Sequence, residues 1–223
     1  MNNKIKNICT LIFGAFLLTS CYTLNSSSAF FNGIDVSHYQ GDIDWDKVAE
    51  NKNIKFAYIK ASEGATVRDK TRAIYAYGAK CNKIKVGYYH FFRASSTGAD
   101  QFQNYLEAIE GLPIDLIPVL DIETEPKASE MANFENGIKV FMHLCKIRFG
   151  VYPIIYTMPN FDKKYLGFLA DRKKWYCGRV GNENAIMEKC VMWQLAIQPI
   201  NGINGNVDLD LCPKMRKIRK YLR

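Results

Sequence analysis

Asp121 and Glu123 stand one residue apart at the end of the apolar run Ile117-Pro118-Val119-Leu120. Successive side chains of a β-strand alternate between its faces, so a strand here turns both acids to one side and Ile122 to the other. Two carboxyls this close in a partly buried place cannot both stay ionised, because repulsion and desolvation raise the pKa of at least one. A protonated acid beside an ionised partner is what glycoside hydrolysis requires: one protonates the leaving oxygen and the other stabilises or traps the cationic sugar. An Asp-x-Glu pair alone is a weak signal, common on solvated strand ends, but the apolar residues before this one set it at the end of a buried strand. Asp35, closing a first strand, and Asp208, within a last one, are candidates for the same site. The competing chemistry is a magnesium site with Asp121, Glu123 and Asp208 as oxygen ligands. No phosphate-binding glycine loop accompanies them, and neither a metal nor another cofactor is expected.

The elements that must carry these acids follow from the apolar spacing. Strands are expected at Phe31 to Val36, Phe56 to Lys60, Val86 to Phe92, Leu116 to Ile122 and Ile154 to Tyr156. Between them lie helical stretches. One is capped by Asp44 and runs through Trp45 and Val48; a second has Ile74, Tyr77 and Cys81 on one face. A third, carrying Ala99, Phe102, Leu106 and Ile109, is stopped by Gly111 and Pro113, and a fourth, carrying Phe134, Ile138, Phe141 and Cys145, is ended by Gly150. Phe161, Tyr165 and Leu169 add a last turn or two. Lys174 to Cys177, Val191 to Leu195 and Val207 to Leu211 then read as strands with little room for helices. Repeated βα units require a parallel sheet, and about eight strands in this length require a barrel, helical in its first part only. The expected fold is α/β, a modified TIM-like barrel of (β/α)5(β)3 order, whose strand carboxyl ends gather the acids on one face.

The 223 residues are 48% hydrophobic and 23% charged, the statistics of a globular chain with one large core. A formal charge of +8 suits a polyanionic surface such as cell wall, nucleic acid or acidic lipid. Lys4 and Lys6 precede the apolar run Ile8 to Leu18, which is too short to span a bilayer but suits a signal-peptide core, so export is expected. Leu18-Thr19-Ser20-Cys21 resembles the bacterial lipobox, in which cleavage precedes a cysteine that becomes diacylated. Cys21 is therefore the expected lipidation site, with residues 1–20 as signal peptide, 21–30 as a Ser- and Asn-rich tether and 31–223 as the domain. Ordinary cleavage after Ser27-Ser28-Ala29, with free secretion, is the alternative. Contact with a membrane through the anchor, no nucleic-acid partner and a monomeric state are expected. Cys81, Cys145, Cys177, Cys190 and Cys212 show no CxxC metal spacing and read as buried free thiols with at most one disulfide, a Cys177–Cys190 pairing being open. The basic tail, Lys214, Arg216, Lys217, Arg219, Lys220 and Arg223, reads as the solvated face of a terminal helix, with docking to anionic polymer or lipid as the alternative.

Several blocks carry a resemblance. They are Gly33-Ile34-Asp35-Val36-Ser37-His38-Tyr39-Gln40-Gly41 with Ile43-Asp44-Trp45, Ile59-Lys60-Ala61-Ser62-Glu63-Gly64, and Gly87-Tyr88-Tyr89-His90-Phe91-Phe92-Arg93. Pro118-Val119-Leu120-Asp121-Ile122-Glu123, Ile155-Tyr156-Thr157, Trp193-Gln194 and Gly205-Asn206-Val207-Asp208-Leu209-Asp210 follow. Together, in order and over nearly all of the chain after the tether, they resemble glycoside hydrolase family 25. The resemblance implies an N-acetylmuramidase, a Chalaropsis-type lysozyme that cleaves the β-1,4 bond between N-acetylmuramic acid and N-acetylglucosamine in peptidoglycan. It also implies a barrel of five βα units followed by three strands. Residue by residue, Glu123 resembles the general acid and Asp121 its partner, which stabilises charge or orients the substrate acetamido group. Asp35 and Asp208 resemble two further acids of the pocket floor. Attack by the acetamido oxygen and direct attack by water both stay open. Lys60, Tyr89, Tyr156, Trp193 and Gln194 are the implied substrate contacts. Ala65-Thr66-Val67-Arg68-Asp69 departs from the family pattern, which bears on the substrate subsites there. A catalytically silent glycan-binding lipoprotein is the alternative function, and a related polymer such as chitin the alternative substrate.

Plainer roles compete for several of these residues. Tyr89, Phe92, Tyr156, Trp175 and Trp193 offer planes on which pyranose C–H groups can stack, although core packing is the usual fate of an aromatic. Lys60 either orients a substrate group or pairs with Glu63. His38 and His90, with no serine or cysteine nucleophile beside them, read as structural hydrogen-bonders.

Overall fold

The structure, a computed structural model, describes residues 31–178 and 190–219. The expected signal peptide, the tether with Cys21, and Lys220 and Arg223 of the basic tail lie outside these residues.

Eight strands close into a barrel. In chain order they are β1 (Gly33–Val36), β2 (Phe56–Glu63), β4 (Lys85–Phe91), β5 (Val119–Asp121), β6 (Ile154–Thr157), β7 (Lys174–Cys177), β8 (Met192–Pro199) and β9 (Asn206–Leu211); β3 (Val67–Arg68) adds a two-residue flap to the end of β2. Neighbours pair parallel from β1 through β8, and β9 runs antiparallel between β8 and β1. The helices α1 (Trp45–Glu50), α2 (Arg72–Cys81), α3 (Gly98–Ile109), α4 (Met131–Phe149) and α5 (Pro159–Tyr165) all precede β7. This is the (β/α)5(β)3 order. The caps follow the sequence: the Asp44 side chain accepts from the Lys47 backbone N–H to start α1, and Gly150 ends α4 in the left-handed region at φ 75°.

Period-two alternation sorts the barrel's side chains. Ile34, Ile59, Tyr88, Leu120 and Ile155 face outward and pack under the helices, against residues such as Phe134, Ile138 and Phe141. Phe56, Tyr58, Val119, Ile154, Trp175 and Met192 form a separate inner cluster that fills the barrel below the acids. Two glycines make room for it. A Cβ on Gly33 would lie 2.1 Å from the Phe56 ring, and one on Gly87 2.5 Å from the Tyr58 ring.

The structure departs from the expectations in several places. The face of α2 bearing Ile74, Tyr77 and Cys81 is exposed; Tyr75, Ala76 and Ala79 are buried instead, because small side chains allow the helix to lie close on the sheet. β5 is shorter than the apolar run before it, since Leu116 and Ile117 turn to the chain terminus: Ile117 N–H donates to Ile218 O at 2.8 Å and Leu116 bridges to Arg219. The basic tail forms a 3-10 turn at Met215–Lys217 rather than a helix, and fully buried Ile218 anchors it against the barrel floor. The five thiols are free, four of them buried. Cys177 and Cys190, whose pairing was open, are both free.

Candidate active site

The carboxyl ends of β1, β2, β4, β5 and β6 open into one pocket. Asp35, Asp121, Glu123 and Asp208 all line it, as do Lys60, Tyr89, Tyr156 and Gln194. The positions follow from register: Asp35 lies opposite Asp208 across the β1–β9 pairing, and Asp121 opposite Tyr156 across β5–β6. The Asp121 carbonyl accepts from Phe92 N–H, and Ile122 N–H donates to the Tyr156 carbonyl, each at 2.9 Å, so the strand end that aims the acid pair is held on both sides. Ile122 is buried among the outer-layer residues, which leaves Asp121 and Glu123 together on the pocket side.

A polar chain spans the floor. Tyr156 O–H donates to Gln194 Oε1 at 2.8 Å, and Gln194 Nε2 donates to Asp35 Oδ2 at 3.2 Å. At the other wall an irregularity between Lys60 and Ser62 breaks the alternation of β2, so that Lys60 and Glu63, three residues apart, meet at 2.7 Å. Arg93 Nη2 approaches the same carboxylate at 2.6 Å, and Arg93 Nη1 donates to Thr124 Oγ1 at 3.2 Å, clasping the residue after Glu123. Both cations lie over the Phe91 ring, at 5.0 and 4.4 Å from its centroid. Lys60 thus pairs with Glu63 and lines the pocket at once. Burial works to raise the Glu63 carboxyl, but hydrogen bonds and charge from Lys60 and Arg93 outweigh it and hold the group low and ionised.

The other acids are pushed the opposite way. Burial, followed by the charges of Asp208, Asp210 and Asp121, holds Asp35 well above the usual carboxylate range, with the Gln194 hydrogen bond opposing. Asp121 is raised strongly by burial and by Glu123, and its Oδ1 has no partner. Glu123 is raised by burial but drawn back by Lys60 and Arg93, and Asp208 rises to about 6 through burial and the Glu123 charge. The cluster therefore holds its protons to higher pH than free carboxyls do, each group's titration depending on the others. Asp121 is the more deeply buried of the central pair and Glu123 the more accessible.

Trp193 is not brought into the pocket. As the immediate neighbour of Gln194 on β8 it points to the opposite face, where it packs with Cys190, Tyr176 and Leu195 and donates its indole N–H to Gly178 O at 3.0 Å. Phe92 lies in the outer core and Trp175 stacks inside the barrel, lining the pocket base. Both histidines are structural. His38 Nδ1 meets Asp69 Oδ2 at 2.8 Å, and His90 sits between Ser62 Oγ and Gln101 Oε1, held neutral by burial with a pKa lowered to about 4. Among the described residues no three His, Cys, Asp or Glu side chains are grouped to hold a metal ion.

Four elements in and around the pocket were not singled out from sequence: the Glu63–Arg93 clasp, Tyr39, Gln40 and Asp210. Asp210 alone had a local signal, its place two residues from Asp208 on the same strand face. It is fully buried, both carboxyl oxygens are unpartnered, and the Trp175 indole faces it at a looser geometry than a hydrogen bond requires. Burial first, and the Asp208 charge second, hold it well above 3.8. The folded chain then keeps a proton that the unfolded chain releases above pH ~4. That contribution is fully present below the unfolded value and is lost as pH rises towards the folded one. Asp210→Asn keeps the shape without the titration. Its melting midpoint should exceed that of the unaltered protein at pH 7 by about 5 °C, with the gap closing near pH ~4. A gap independent of pH in melting curves would contradict this.

Residues 34–200 match the sequence profile of glycosyl hydrolases family 25. The autolytic lysozyme of Clostridium acetobutylicum is 30% identical over 180 residues, which are 80% of this chain and 54% of that protein; the chain thus spans about half the length of this relative. The N,O-diacetylmuramidase of Arthroderma benhamiae is 30% identical over 165 residues, 69% of this chain and 68% of that protein. The crystal structure of a bacterial lysozyme from Streptomyces coelicolor superposes with a TM-score of 0.70 at 26% identity, covering 84% of this chain and 94% of that one. A profile matched across most of the barrel, and relatives that share both its sequence and its architecture, lead to one conclusion: the chain belongs to glycosyl hydrolase family 25.

Proposed function

We propose that the chain is a lysozyme, an N-acetylmuramidase that hydrolyses the β-1,4 bond between N-acetylmuramic acid and N-acetylglucosamine in peptidoglycan. The observation that carries this is the convergence of Asp35, Asp121, Glu123 and Asp208, all with raised pKa, in one pocket of a family 25 barrel. Glu123, the accessible member of the central pair, gives its proton to the glycosidic oxygen as the bond to the anomeric carbon breaks. Asp121 stabilises the positive charge that develops there or holds the acetamido group, with Asp35 and Asp208 supporting it from the floor. The anomeric carbon is then captured by water, directly or after the acetamido oxygen, and the surplus proton returns to a pocket carboxylate. Lys60, Tyr89, Tyr156 and Gln194 position the sugar.

The substrate assignment is tested by incubating the protein with purified peptidoglycan and with chitin. Release of soluble muropeptides from the first and none from the second is the expected result; turnover of chitin alone would overturn it.

On the same reading residues 31–223 are the catalytic domain of an exported, lipid-anchored protein, with residues 1–20 as signal peptide and Cys21 carrying the lipid. Lys4, Lys6, the apolar run Ile8 to Leu18 and Leu18-Thr19-Ser20-Cys21 support it. Cys21→Ala should move the protein from the membrane fraction to the precursor or the medium and remove the diacylglyceryl mass from the amino terminus. A wild-type mature chain beginning after Ala29 would refute the anchor.

A further inference from the structure

Tyr39 is the most exposed large apolar or aromatic residue of the described chain, with 80% of its surface open, yet it lines the same pocket as the buried acids. A single exposed aromatic is ordinary on a surface; what sets Tyr39 apart is that its open ring stands at the mouth of the acid pocket. The backbone beneath it is fixed. Ser37, the residue after β1, accepts from Tyr39 N–H through Oγ, while Gln40 Oε1 accepts from Ser37 N–H at 2.8 Å, forming a capping box around the 3-10 turn His38–Gln40. Gln40 Nε2 reaches Asn206 O at 3.4 Å, and Gly41 leaves the turn at φ 62°. The neighbouring His38 ring lies against Tyr39 with centroids 4.2 Å apart. Buried Asp69 holds His38 by its backbone N–H at 2.9 Å and by Nδ1 at 2.8 Å. The ring therefore stands on a pinned turn at the rim, backed on one side by His38 and open on the other, with little backbone freedom to lose on binding.

We propose that Tyr39 is a stacking platform for a pyranose ring of the glycan strand beyond the sugar that enters the acid pocket. A sugar ring presents axial C–H groups to an aromatic face, and a rigid two-torsion side chain meets it at small entropic cost. The platform stands on the β1 side of the rim, three strands round the barrel from the β5 end that carries Glu123. A strand laid across the pocket from one to the other is bound at two places, so Tyr39 acts through affinity for longer chains rather than through the bond-breaking step. Asp69, within the segment that departs from the family pattern, acts here as the anchor of the turn through His38.

This proposal rests on the glycan-hydrolase reading, and its test separates the two. The full-length chain, Tyr39→Ala and Tyr39→Phe are assayed on soluble peptidoglycan glycan fragments of two lengths, and binding of the longer fragment is measured on Glu123→Gln with and without Tyr39→Ala. Tyr39→Ala should raise KM for the longer fragment about tenfold while kcat stays within about twofold, with most of that difference vanishing on the shorter one and Tyr39→Phe restoring it. In the Glu123→Gln background the same substitution should weaken binding about tenfold. Equal losses of kcat on both lengths, or unchanged KM and binding, would overturn the platform while leaving the hydrolase reading intact. Tight, Tyr39-dependent binding without turnover by the unaltered chain would overturn the hydrolase reading and leave the platform standing. No measurable glycan binding by the protein with Tyr39 intact would remove both.

Discussion

Glu123→Gln lowers the rate of peptidoglycan hydrolysis by about 10³-fold while the melting midpoint stays close to that of the unaltered protein; this is the largest effect expected of any single substitution. A positioned general acid contributes about 10²–10⁴ in rate, and glutamine reproduces the side chain's volume without a transferable proton. The fold should tolerate the change because Glu123 lies beyond the last residue of β5 and its environment asks nothing structural of it: the cation beside it, Lys60, is already paired with Glu63 at 2.7 Å, and Arg93 is bound to the same carboxylate. Loss of the Glu123 charge also removes the second-largest influence raising Asp121, so Asp121 should titrate at lower pH in the variant. Initial-rate assays on purified peptidoglycan together with melting curves check both halves. Activity within tenfold of the unaltered protein would assign the proton to another group.

Asp121→Asn is expected to lose about 10²–10³ in kcat, the scale of removing one preorganised electrostatic contact from a developing charge. It should also reshape the pH profile. In the unaltered protein the pair releases its protons in two steps, and the second is raised because the remaining proton leaves a site already negative. Once the substitution removes the ionisable partner, Glu123 titrates under burial, which still raises it, and under Lys60 and Arg93, which favour the charged form. The alkaline limb of kcat against pH therefore moves to lower pH, since the donor is lost earlier. A profile of unchanged shape with reduced height would mean that Asp121 only holds substrate.

The gathering of the four acids was legible because it lies in local pattern. An apolar run ending in Asp-x-Glu carries its own orientation, and the placement of Asp35 and Asp208 followed from counting strands; the order of five βα units and three strands came from apolar periodicity and the spacing of stops. What escaped notice depends on contacts distant in sequence. The Glu63–Arg93 clasp joins residues 30 apart through an irregularity in β2 that no local pattern marks. Apolar spacing on α2 favoured Ile74, Tyr77 and Cys81, yet the sheet selected the alanines because close approach matters more there than side-chain size. Trp193 is different. Alternation along β8 sends Trp193 and Gln194 to opposite faces, so choosing Gln194 argued against its neighbour. Tyr39 lay within a resembling block, but its exposure is a property of the folded rim alone.

The most direct test of the central claim is to identify the sugar at the new reducing ends released from purified peptidoglycan, by borohydride reduction and mass analysis of the products. Muramitol at the new ends, produced by the unaltered chain and absent with Glu123→Gln, is the expected result. Glucosaminitol at the new ends, or equal release by the two proteins, would contradict it.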